Sequence, residues 1–329
     1  MIRVATIGTS LITYRFAAAV AELPGVELAC VVSRDPARAA AVATEVGART
    51  SSADLDAVLA SSDIDAVYVA SPNTVHHAQA LAALRAGKHV LVEKPAVPTG
   101  AEWEELTAQA AASGVVLLEA IRNLYDPGFA LIEATLPRLG TIRRVSFRFH
   151  QRSARYDRVL AGERLNIFDP GMAGGSLYDL GVYCIQPLVG LFGAPASVHA
   201  RLVQVAGGAD GAGAALASYD DFVADLSFSK ITLSDTPSTI EGEAGTLVID
   251  HLDDPRLLVL QTVNGESEEF HVAKRGDDKL ANMIEGVERF AAAVRGEVDV
   301  APDQRRSLLA ARLLDEIRRS AGVRPRLDS

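Results

Sequence analysis

The chain reads AGKHVLVEKP from residue 86 to residue 95. Gly87 follows an alanine-rich amphipathic segment, and a glycine in that place is typical of a helix end. The apolar run 90–92 that comes next is typical of a strand with both faces covered. Pro95 disfavours helical geometry at the residue before it, so we expect Lys94 to be extended at the strand end. This stretch therefore predicts a helix, a buried strand and a polar strand end in direct succession.

The same alternation fills the first 121 residues. Apolar, β-branched runs predict strands at 4–7, 28–32, 66–69, 90–92 and 115–118. Amphipathic segments between them predict helices at 16–23, 36–46, 76–86 and 101–112. Strands that alternate with helices through short links are typical of βαβ units and a parallel sheet. We therefore predict a first domain of α/β class over residues 1–121.

After residue 123 the pattern changes. A helix at 127–136 and a strand at 142–150 are followed by a helix at 176–191 and strands at 197–205, 222–228, 238–241, 246–250, 257–262 and 268–273. Helices at 280–295 and 304–320 come last, and the Gly/Ala-rich tract 206–217 predicts a mobile hairpin loop. Consecutive strands without helices between them indicate a mostly antiparallel sheet, so residues 122–329 are predicted to form a second domain of α+β class.

Composition narrows the class of protein. The 329 residues are 49% hydrophobic and 22% charged, which is typical of a compact globular protein. A net charge of −10 argues against nucleic acid or an anionic membrane as the main partner. Cys30 and Cys184 both lie in apolar runs and are expected to be buried free thiols. With no secretory leader pattern and no apolar run of ~20 residues, we expect a cytoplasmic protein.

A phosphate-binding loop is predicted between the first strand and the first helix. A dinucleotide's pyrophosphate binds there, on the free N–H groups of the helix N-terminus. Of the three glycines in the usual G-x-G-x-x-G fingerprint, only the first stands in the run Gly8-Thr9-Ser10-Leu11-Ile12-Thr13. Ser10 and Thr13 are small hydrogen-bonding residues, so we expect the loop to hold phosphate nevertheless.

The end of the second strand bears on the choice between NAD and NADP. An acidic residue there usually binds a free ribose 2′-hydroxyl, whereas a 2′-phosphate needs a cation. Ser33 and Arg34 favour the phosphate, and hence NADP, while NAD is left open. The alternative is that Arg34 is a solvated surface residue and that Asp35-Pro36 merely begins the next helix.

Three residues are the candidates for catalysis. Lys94 ends a strand at the sheet edge where open α/β folds bind ligands. A glycine pair at 174–175 opens a helix that carries Asp179 and Tyr183 at i and i+4, hence on one face. The helix is otherwise apolar, so Asp179 is expected to be partly buried and to need partners, such as a tyrosine and a lysine from across a cleft.

These stretches resemble one known family, the glucose-fructose oxidoreductase, inositol dehydrogenase and MocA-type (Gfo/Idh/MocA) oxidoreductases. The resemblance is carried by residues 70–73 with His76, by 86–95 and by 174–183, and it covers nearly the whole chain. It implies a Rossmann-type first domain and an α+β second domain whose open sheet often forms the oligomer interface. We therefore expect a homodimer or homotetramer through that sheet.

The resemblance also implies site roles. Lys94 would lie near the nicotinamide and substrate, and Asp179 would support the acid/base residue, which is Tyr183 here and histidine in many members. A tyrosine there is similar to the NADP-dependent dihydrodiol and xylose dehydrogenase branch. The residues expected to contact the cofactor are Gly8, Thr9, Ser10, Leu11, Ile12, Ser33, Arg34, Arg38, Ala70, Ser71, Pro72, Asn73, His76, Glu93, Lys94 and Asn123. Those expected at the substrate are Tyr125, Asn166, Asp169 and Tyr183.

The residue types then predict the chemistry. Oxidising an alcohol removes a hydride, which the nicotinamide takes, and a proton, which the protein must handle. An ordinary tyrosine ionises near pH ~10, and a neighbouring ammonium such as that of Lys94 favours the phenolate. We predict an NADP(H)-dependent oxidoreductase acting on a hydroxyl or carbonyl carbon of a sugar, cyclitol or related diol.

Two alternatives stay open at this point. One is a nucleotide-binding regulator or sensor without turnover, and the other is an enzyme that retains its cofactor and recycles it between two sugars. No metal is expected, because His76 and His77 have no third ligand at a suitable spacing.

Overall fold

The computed structural model describes residues 1–275, 280 and 282–322. Contacts group the chain into two compact units. Unit 1 comprises Met1–Val97, Ala101–Arg122 and Lys274–Leu308, and unit 2 comprises Pro98–Gly100, Asn123–Ala273 and Leu309–Ser329. The sequence predicted a division at residue 122 instead, and the last seven residues of that second domain, 323–329, lie outside the described residues.

Unit 1 is an α/β unit. Its strands are β1 (Ile2–Ile7), β2 (Val26–Val32), β3 (Thr50–Ser52), β4 (Ala66–Val69), β5 (His89–Glu93) and β6 (Leu117–Ala120). Its helices are α1 (Leu11–Ala21), α2 (Pro36–Val46), α3 (Leu55–Ala60), α4 (His76–Arg85), α5 (Gly100–Ser113), which it shares with unit 2 at Gly100, and α9 (Met283–Val294). The sheet order is β3-β2-β1-β4-β5-β6, and the paired strands are all parallel.

The parallel sheet predicted from periodicity is confirmed. Its central strands β4 and β5 are almost entirely buried, as expected when helices cover both faces. The sequence missed β3 and α3, because β3 is an edge strand of three polar residues and α3 has only six. Short polar edge strands carry little of the periodicity on which such predictions depend.

Residues from the end of the chain complete unit 1. Helix α9 packs on α1 and β6, and it covers most of the predicted helix 280–295, of which residue 281 lies outside the described residues. The buried Trp103 donates from Nε1 to the Gln304 carbonyl at 2.8 Å, and Gln304 Nε2 donates to the Leu117 carbonyl at 3.1 Å. These contacts are tertiary, so the local sequence pattern did not assign residues 274–308 to this unit.

Unit 2 is an α+β unit. Its strands are β7 (Ile142–His150), β8 (Ser197–Gln204), β9 (Asp210–Ser218), β10 (Val223–Ser229), β11 (Ser238–Gly242), β12 (Gly245–Ile249), β13 (Leu257–Thr262) and β14 (Ser267–His271). Its helices are α6 (Pro127–Thr135), α7 (Tyr156–Leu160), α8 (Val182–Phe192) and the second half of α10 (Ala301–Ser320). The sheet order is β14-β13-β12-β11-β7-β10-β9-β8, antiparallel except for the pair β7 and β10.

One prediction in unit 2 was wrong. The tract 206–217 was expected to be a mobile loop, but β9 occupies most of it and pairs with both β8 and β10. Its small residues are there for packing, since a Cβ at Gly213 would lie 2.5 Å from Leu202 Cδ2 and 2.5 Å from Phe228 Cε2. Glycine in this strand makes room for a large side chain on the neighbouring strand.

The two faces of this sheet differ. On the face that packs against α8, Phe149 meets the Tyr183 ring edge-on, with the ring centroids 5.4 Å apart. On the opposite face, Arg144 Nη2 lies 2.9 Å from Asp225 Oδ1, and Ser146 donates to Asp225 Oδ2 at 2.7 Å. The exposed apolar residues on that second face are Val203, Leu216 and Val223. The expected oligomer through this face stays a prediction.

The cysteine prediction is confirmed. Cys30 and Cys184 are both buried and free, and burial raises the pKa of each thiol, most strongly for Cys184. Across the described residues, every helix falls short of the length and hydropathy that crossing a bilayer requires.

Gly8, at the end of β1, is the backbone position on which the first βα turn depends. Its φ is +127°, and a Cβ there would lie 2.4 Å from the carbonyl oxygen of Ala70. We expect Gly8→Ala to lower the free energy of unfolding by about 2–4 kcal/mol, because backbone strain of ~1–3 kcal/mol is added to a backbone clash. Urea denaturation followed by circular dichroism measures the loss.

Gly87→Ala is the matched control. Gly87 also has a positive φ, +72°, but a Cβ there would meet nothing within 4 Å. It should therefore cost only the ~1 kcal/mol of a left-handed alanine. Equal losses in the two variants would show that the approach of Ala70 does not constrain Gly8.

Candidate active site

The loop after β1 is built to receive an anion. Helix α1 begins at Leu11, and its N-cap Ser10 is exposed and extended and makes no side-chain capping bond. The N–H groups and dipole at such a helix start favour phosphate. Thr13 does not serve there as we expected, because it is fully buried and donates from Oγ1 to the Gly8 carbonyl at 3.1 Å. Its place is under the loop, where it holds the turn closed.

Arg38 braces this loop from α2. Its Nη2 donates to the Thr9 carbonyl at 3.0 Å, and its Nε donates to Thr9 Oγ1 at 3.2 Å. A guanidinium fixed by two bonds loses little further freedom when an anion arrives, so it is pre-organised for one. The loop that lacks two glycines is thus held by an arginine and a buried threonine.

The end of β2 settles the role of Asp35. Its Oδ1 accepts from the N–H groups of Ala37 at 2.9 Å and Arg38 at 3.1 Å, which makes it the N-cap of α2. The alternative that Asp35 begins a helix is therefore confirmed, and the carboxylate is committed to that cap. Ser33 Oγ accepts from the Asp35 N–H at 3.3 Å, and Arg34 beside it is exposed.

The turn after β5 is fixed by buried carboxylates. Glu93 accepts at Oε1 from the Tyr68 hydroxyl, 2.6 Å away, and at Oε2 from the Lys94 N–H, 3.2 Å away. Glu119 on β6 accepts from the Ala96 N–H at 3.0 Å. Lys94 is joined to Pro95 by a cis peptide bond. Glu93 was predicted as a cofactor ligand. Its two oxygens accept from Tyr68 and Lys94, and its contact with a cofactor stays a prediction.

His76 joins the turns that follow β4 and β5. The ring is fully buried, with Nε2 2.8 Å from the Ser71 carbonyl oxygen and Nδ1 3.1 Å from the Pro95 carbonyl oxygen. Burial lowers the pKa of His76. Ser71 also donates from Oγ to Gln79 Oε1 at 2.6 Å. The predicted contact of His76 with the cofactor is not tested, but the ring itself fixes the two loops to each other.

In unit 2 the glycine pair 174–175 lets the 166–169 segment and strand β9 approach the start of the helix closely. Gly175 has a φ of +131°, and a Cβ there would lie 2.1 Å from Asp210 Oδ1. Asp210 on β9 accepts at Oδ2 from Ser176 Oγ at 2.5 Å and from the Leu177 N–H at 2.7 Å. Burial raises the pKa of Asp210. This residue caps the helix that carries the catalytic candidates, and sequence reasoning missed it by placing it in a loop.

That helix begins with a π-helical turn, Leu177–Gly181, before α8. Such turns are rare and occur often at functional sites. Asp179 lies within the turn with its side chain 43% exposed, and its Oδ2 is 2.7 Å from Nζ of Lys230, which is 3% exposed. The sequence predicted a lysine from across a cleft as a partner of Asp179, and that contact stays a prediction. Lys230 was not singled out, because a single lysine after a strand is ordinary unless the strand face that it continues is considered.

Tyr183 and Asn123 lie together in unit 2. Tyr183 is almost fully buried, and Asn123 Nδ2 donates to its carbonyl oxygen at 3.4 Å and to that of Leu252 at 3.1 Å. No partner for Asn123 Oδ1 is found among the described residues. The amide of Asn123 therefore holds the start of α8 against the 252 segment, whereas its predicted cofactor contact stays untested.

The predicted substrate residues differ in their surroundings. Tyr125 is half-buried and Asn166 is exposed. Asp169 caps a short turn, because its Oδ1 accepts from the Gly171 N–H at 2.8 Å. The role of these three residues at the substrate stays a prediction.

Each unit thus assembles part of the predicted set. In unit 1, the cofactor candidates stand at the carboxyl ends of β1, β2, β4 and β5, the edge where ligands bind in such sheets. In unit 2, Asp179, Tyr183 and Lys230 stand on the π-helical turn, α8 and the end of β10. Lys94 belongs to unit 1, so the convergence of all three catalytic candidates stays a prediction.

Comparison with known proteins places the chain in a family. Residues 2–120 match the model of an oxidoreductase family with an NAD-binding Rossmann fold, and residues 137–248 match the Gfo/Idh/MocA C-terminal domain. The chain is 39% identical over 324 residues to the scyllo-inositol 2-dehydrogenase (NADP(+)) IolU of Bacillus subtilis, with 98% of each protein covered. It is 30% identical to the trans-1,2-dihydrobenzene-1,2-diol dehydrogenase of Mus musculus, with 96% of each covered.

A solved structure agrees. The chain superposes on KijD10, a 3-ketoreductase from Actinomadura kijaniata in complex with NADP and TDP-benzene, with a TM-score of 0.85 and 26% identity over 97% of each chain. The matches confirm the predicted fold, a Rossmann-type unit and an α+β unit. They also confirm the predicted class, an NAD(P)-dependent oxidoreductase acting on CH–OH groups. The chain belongs to the Gfo/Idh/MocA family of oxidoreductases.

Proposed function

We propose that this protein is an NADP(H)-dependent dehydrogenase of a cyclitol, sugar or related diol, with Tyr183 as the acid/base residue. The observation that carries the proposal is the helix of unit 2, on which the buried Tyr183 follows an ion-paired Asp179 by four residues. A protein that only bound a nucleotide would need neither residue. A phenol and a fixed carboxylate on one helix are suited to moving a proton.

The substrate class is supported by the relatives. The chain is similar along nearly its whole length to a scyllo-inositol dehydrogenase and to a dihydrodiol dehydrogenase, both named for substrates with hydroxyl-bearing rings. The 3-ketoreductase of similar fold carries NADP. A ring that bears adjacent hydroxyl groups is therefore the substrate class that we propose.

The residues at the end of β2 fit a cofactor with a 2′-phosphate. Asp35 is the acidic residue that stands closest to the usual NAD-selecting position, and its carboxylate is already committed to capping α2. Ser33 and the exposed Arg34 offer a hydroxyl and a guanidinium, which suit phosphate oxygens. The loop of Gly8, braced by Arg38, suits the pyrophosphate. We therefore propose NADP as the preferred cofactor.

The chemical step follows from the proposed residues. When bound, the nicotinamide takes the hydride from the carbinol carbon in oxidation and supplies it in reduction. In oxidation the substrate O–H bond breaks, Tyr183 takes the proton at its phenolate oxygen, and the C–O bond becomes a carbonyl. In reduction Tyr183 returns that proton to the carbonyl oxygen. The ammonium of Lys94 would polarise the carbonyl and stabilise the negative charge that develops on its oxygen.

A turnover screen tests the substrate class. We expect reduction of NADP with scyllo-inositol, myo-inositol, D-xylose or a trans-dihydrobenzenediol, followed at the absorbance of NADPH. At least one of them should give saturable turnover. A wholly negative panel, together with tight NADPH binding measured by fluorescence, would favour the sensor instead. Release of the cofactor during dialysis distinguishes a freely exchanging enzyme from one that retains it.

Substitution of the proposed acid/base pair tests the mechanism. Tyr183→Phe and Lys94→Ala should each lower kcat by a factor of ~10²–10⁴, because general acid–base catalysis is worth about that much. Binding of NADPH should change little, since neither change removes a group that holds the adenine or phosphates. Steady-state kinetics and fluorescence titration measure both quantities.

The chain offers a matched control for each variant. Tyr219 donates its hydroxyl to the Gly193 carbonyl at 2.9 Å, and Lys88 donates to the Ser61 and Ile64 carbonyls at 2.7 and 2.9 Å. Tyr219→Phe and Lys88→Ala remove the same groups elsewhere in the molecule and should leave kcat within about threefold. Near-normal turnover in Tyr183→Phe would refute the assignment of the proton to that residue.

Arg34→Ala tests the choice of cofactor. We expect KM for NADP to rise by a factor of ~10 or more with KM for NAD little changed, because a charge-assisted bond to phosphate is worth roughly 1.5–3 kcal/mol. Arg49→Ala is the control, since Arg49 is exposed and pairs with Glu27 at 3.2 Å. A wild-type preference for NAD, or an equal effect on both cofactors, would contradict the proposal.

A further inference from the structure

Lys230 is a buried charge that the proposed chemistry does not yet use. It stands one residue beyond β10 and continues the face of that strand which carries Leu226 and Phe228. Its backbone is fixed on both sides, because its N–H donates to the Gly211 carbonyl at 2.7 Å and its carbonyl accepts from the Ser153 N–H at 2.9 Å. The backbone of Lys230 is therefore held by β9 and by the segment after β7.

The ammonium group has a small set of contacts. Nζ lies 2.7 Å from Asp179 Oδ2, 3.4 Å from the Ile167 carbonyl oxygen and 5.1 Å from the centre of the Phe168 ring. The Ile167 carbonyl also accepts from the Gly175 N–H at 3.0 Å. The ammonium of Lys230 thus contacts the π-helical turn and the 167–168 segment, and the carbonyl at 167 links that segment to the glycine pair.

The pair is asymmetric in its exposure. The Lys230 side chain is 3% exposed, whereas the Asp179 side chain is 43% exposed. An ammonium taken out of water needs an anion beside it, since a buried unpaired charge is strongly unfavourable. The same attraction favours the ionised form of the carboxylate. The lysine is therefore the fixed member, and the carboxylate is the member that reaches the surface of the site.

Several charged and titratable groups of unit 2 near this turn have partners of their own among the described residues. Asp210 caps the start of the turn, Tyr178 lies under the guanidinium of Arg318 at 5.6 Å, and Asp169 caps its own turn. Tyr183 and the buried Cys184 stand on α8, and the negative charge of Asp253 acts on Cys184. The groups on the opposite face of the sheet include Arg144, Arg148, His150 and Asp225.

We propose that Lys230 is a positioning residue for the reaction: its buried ammonium holds Asp179 in place one helical turn before Tyr183. The inference rests on the proposed function, in which Tyr183 carries the proton. Without Lys230, Asp179 would lose the contact that fixes its carboxylate, and the helix that carries Tyr183 would lose an anchor.

The test is the steady-state kinetics of Lys230→Met, which keeps the length of the side chain and removes its charge. With NADP and the best substrate of the turnover screen, kcat should fall at least ~10-fold, because the carboxylate beside the acid/base residue is no longer held in place. KM for NADP should stay within about twofold. Lys230→Arg should restore most of the wild-type kcat, and Lys88→Met serves as the control lysine.

A double variant separates positioning from general loss of structure. If Lys230 acts through Asp179, the variant Asp179→Asn/Lys230→Met should have the same kcat as Asp179→Asn alone. It should also melt at a higher temperature than Asp179→Asn, because no charge is left buried without a partner. This comparison decides the matter even if Lys230→Met alone does not fold.

The opposing results are distinct. A kcat of Lys230→Met within about threefold of the wild type, or a double variant at least ~10-fold slower than Asp179→Asn, would overturn the role of Lys230. Full activity of Tyr183→Phe would overturn the proposed function instead. The first outcome leaves the dehydrogenase proposal intact, and the second removes the basis of this inference.

Discussion

The interaction on which the helix start in unit 2 depends is the ion pair between a buried lysine and a half-exposed carboxylate. Lys230 is fixed through its backbone by two neighbouring segments, and its ammonium lies 2.7 Å from Asp179. Removing one partner of a buried pair costs about 3–5 kcal/mol, and solvent at the exposed carboxylate reduces that figure. The pair anchors the middle of the π-helical turn Leu177–Gly181, and the helix that carries Tyr183 follows directly.

In unit 1, the loop after β1 is held by residues other than the usual glycines. Only Gly8 of the glycine fingerprint is present, and the close approach of the Ala70 carbonyl explains why that one is needed. The loop is held by two other residues. Thr13 donates to the Gly8 carbonyl, and Arg38 donates to the Thr9 carbonyl. The turn that carries Lys94 is held in a comparable way by Glu93, Glu119 and His76. Both loops are held by hydrogen bonds within the protein, and a site that is already formed favours binding.

The sequence alone predicted much of the fold, because periodicity reports burial directly. The parallel strands of unit 1 other than β3, and most strands of unit 2, were found from apolar runs. Strand β9 was missed because its alanines and glycines have the composition of a loop, although Gly213 makes room for Leu202 and Phe228. The packing of helix α9 on α1 and β6 was not predicted, since packing between distant segments leaves no local pattern.

The site was predicted unevenly. Asp179 and Tyr183 were found from their spacing on one helix, and the resemblance named Lys94. Lys230 and Asp210 were not found, because a single charged residue gains its meaning from what surrounds it in the fold. The alternating apolar positions of β10 were the one usable signal, since they continue toward Lys230 and place a lysine on the buried face.

The most direct measurement is the coupling energy between Lys230 and Asp179. Urea unfolding of the wild type, Asp179→Asn, Lys230→Met and the double variant gives that energy as a double-mutant cycle. We predict that the two substitutions are coupled by at least ~1 kcal/mol. Losses of unfolding free energy that simply add in the double variant would contradict the anchoring of Asp179 by Lys230.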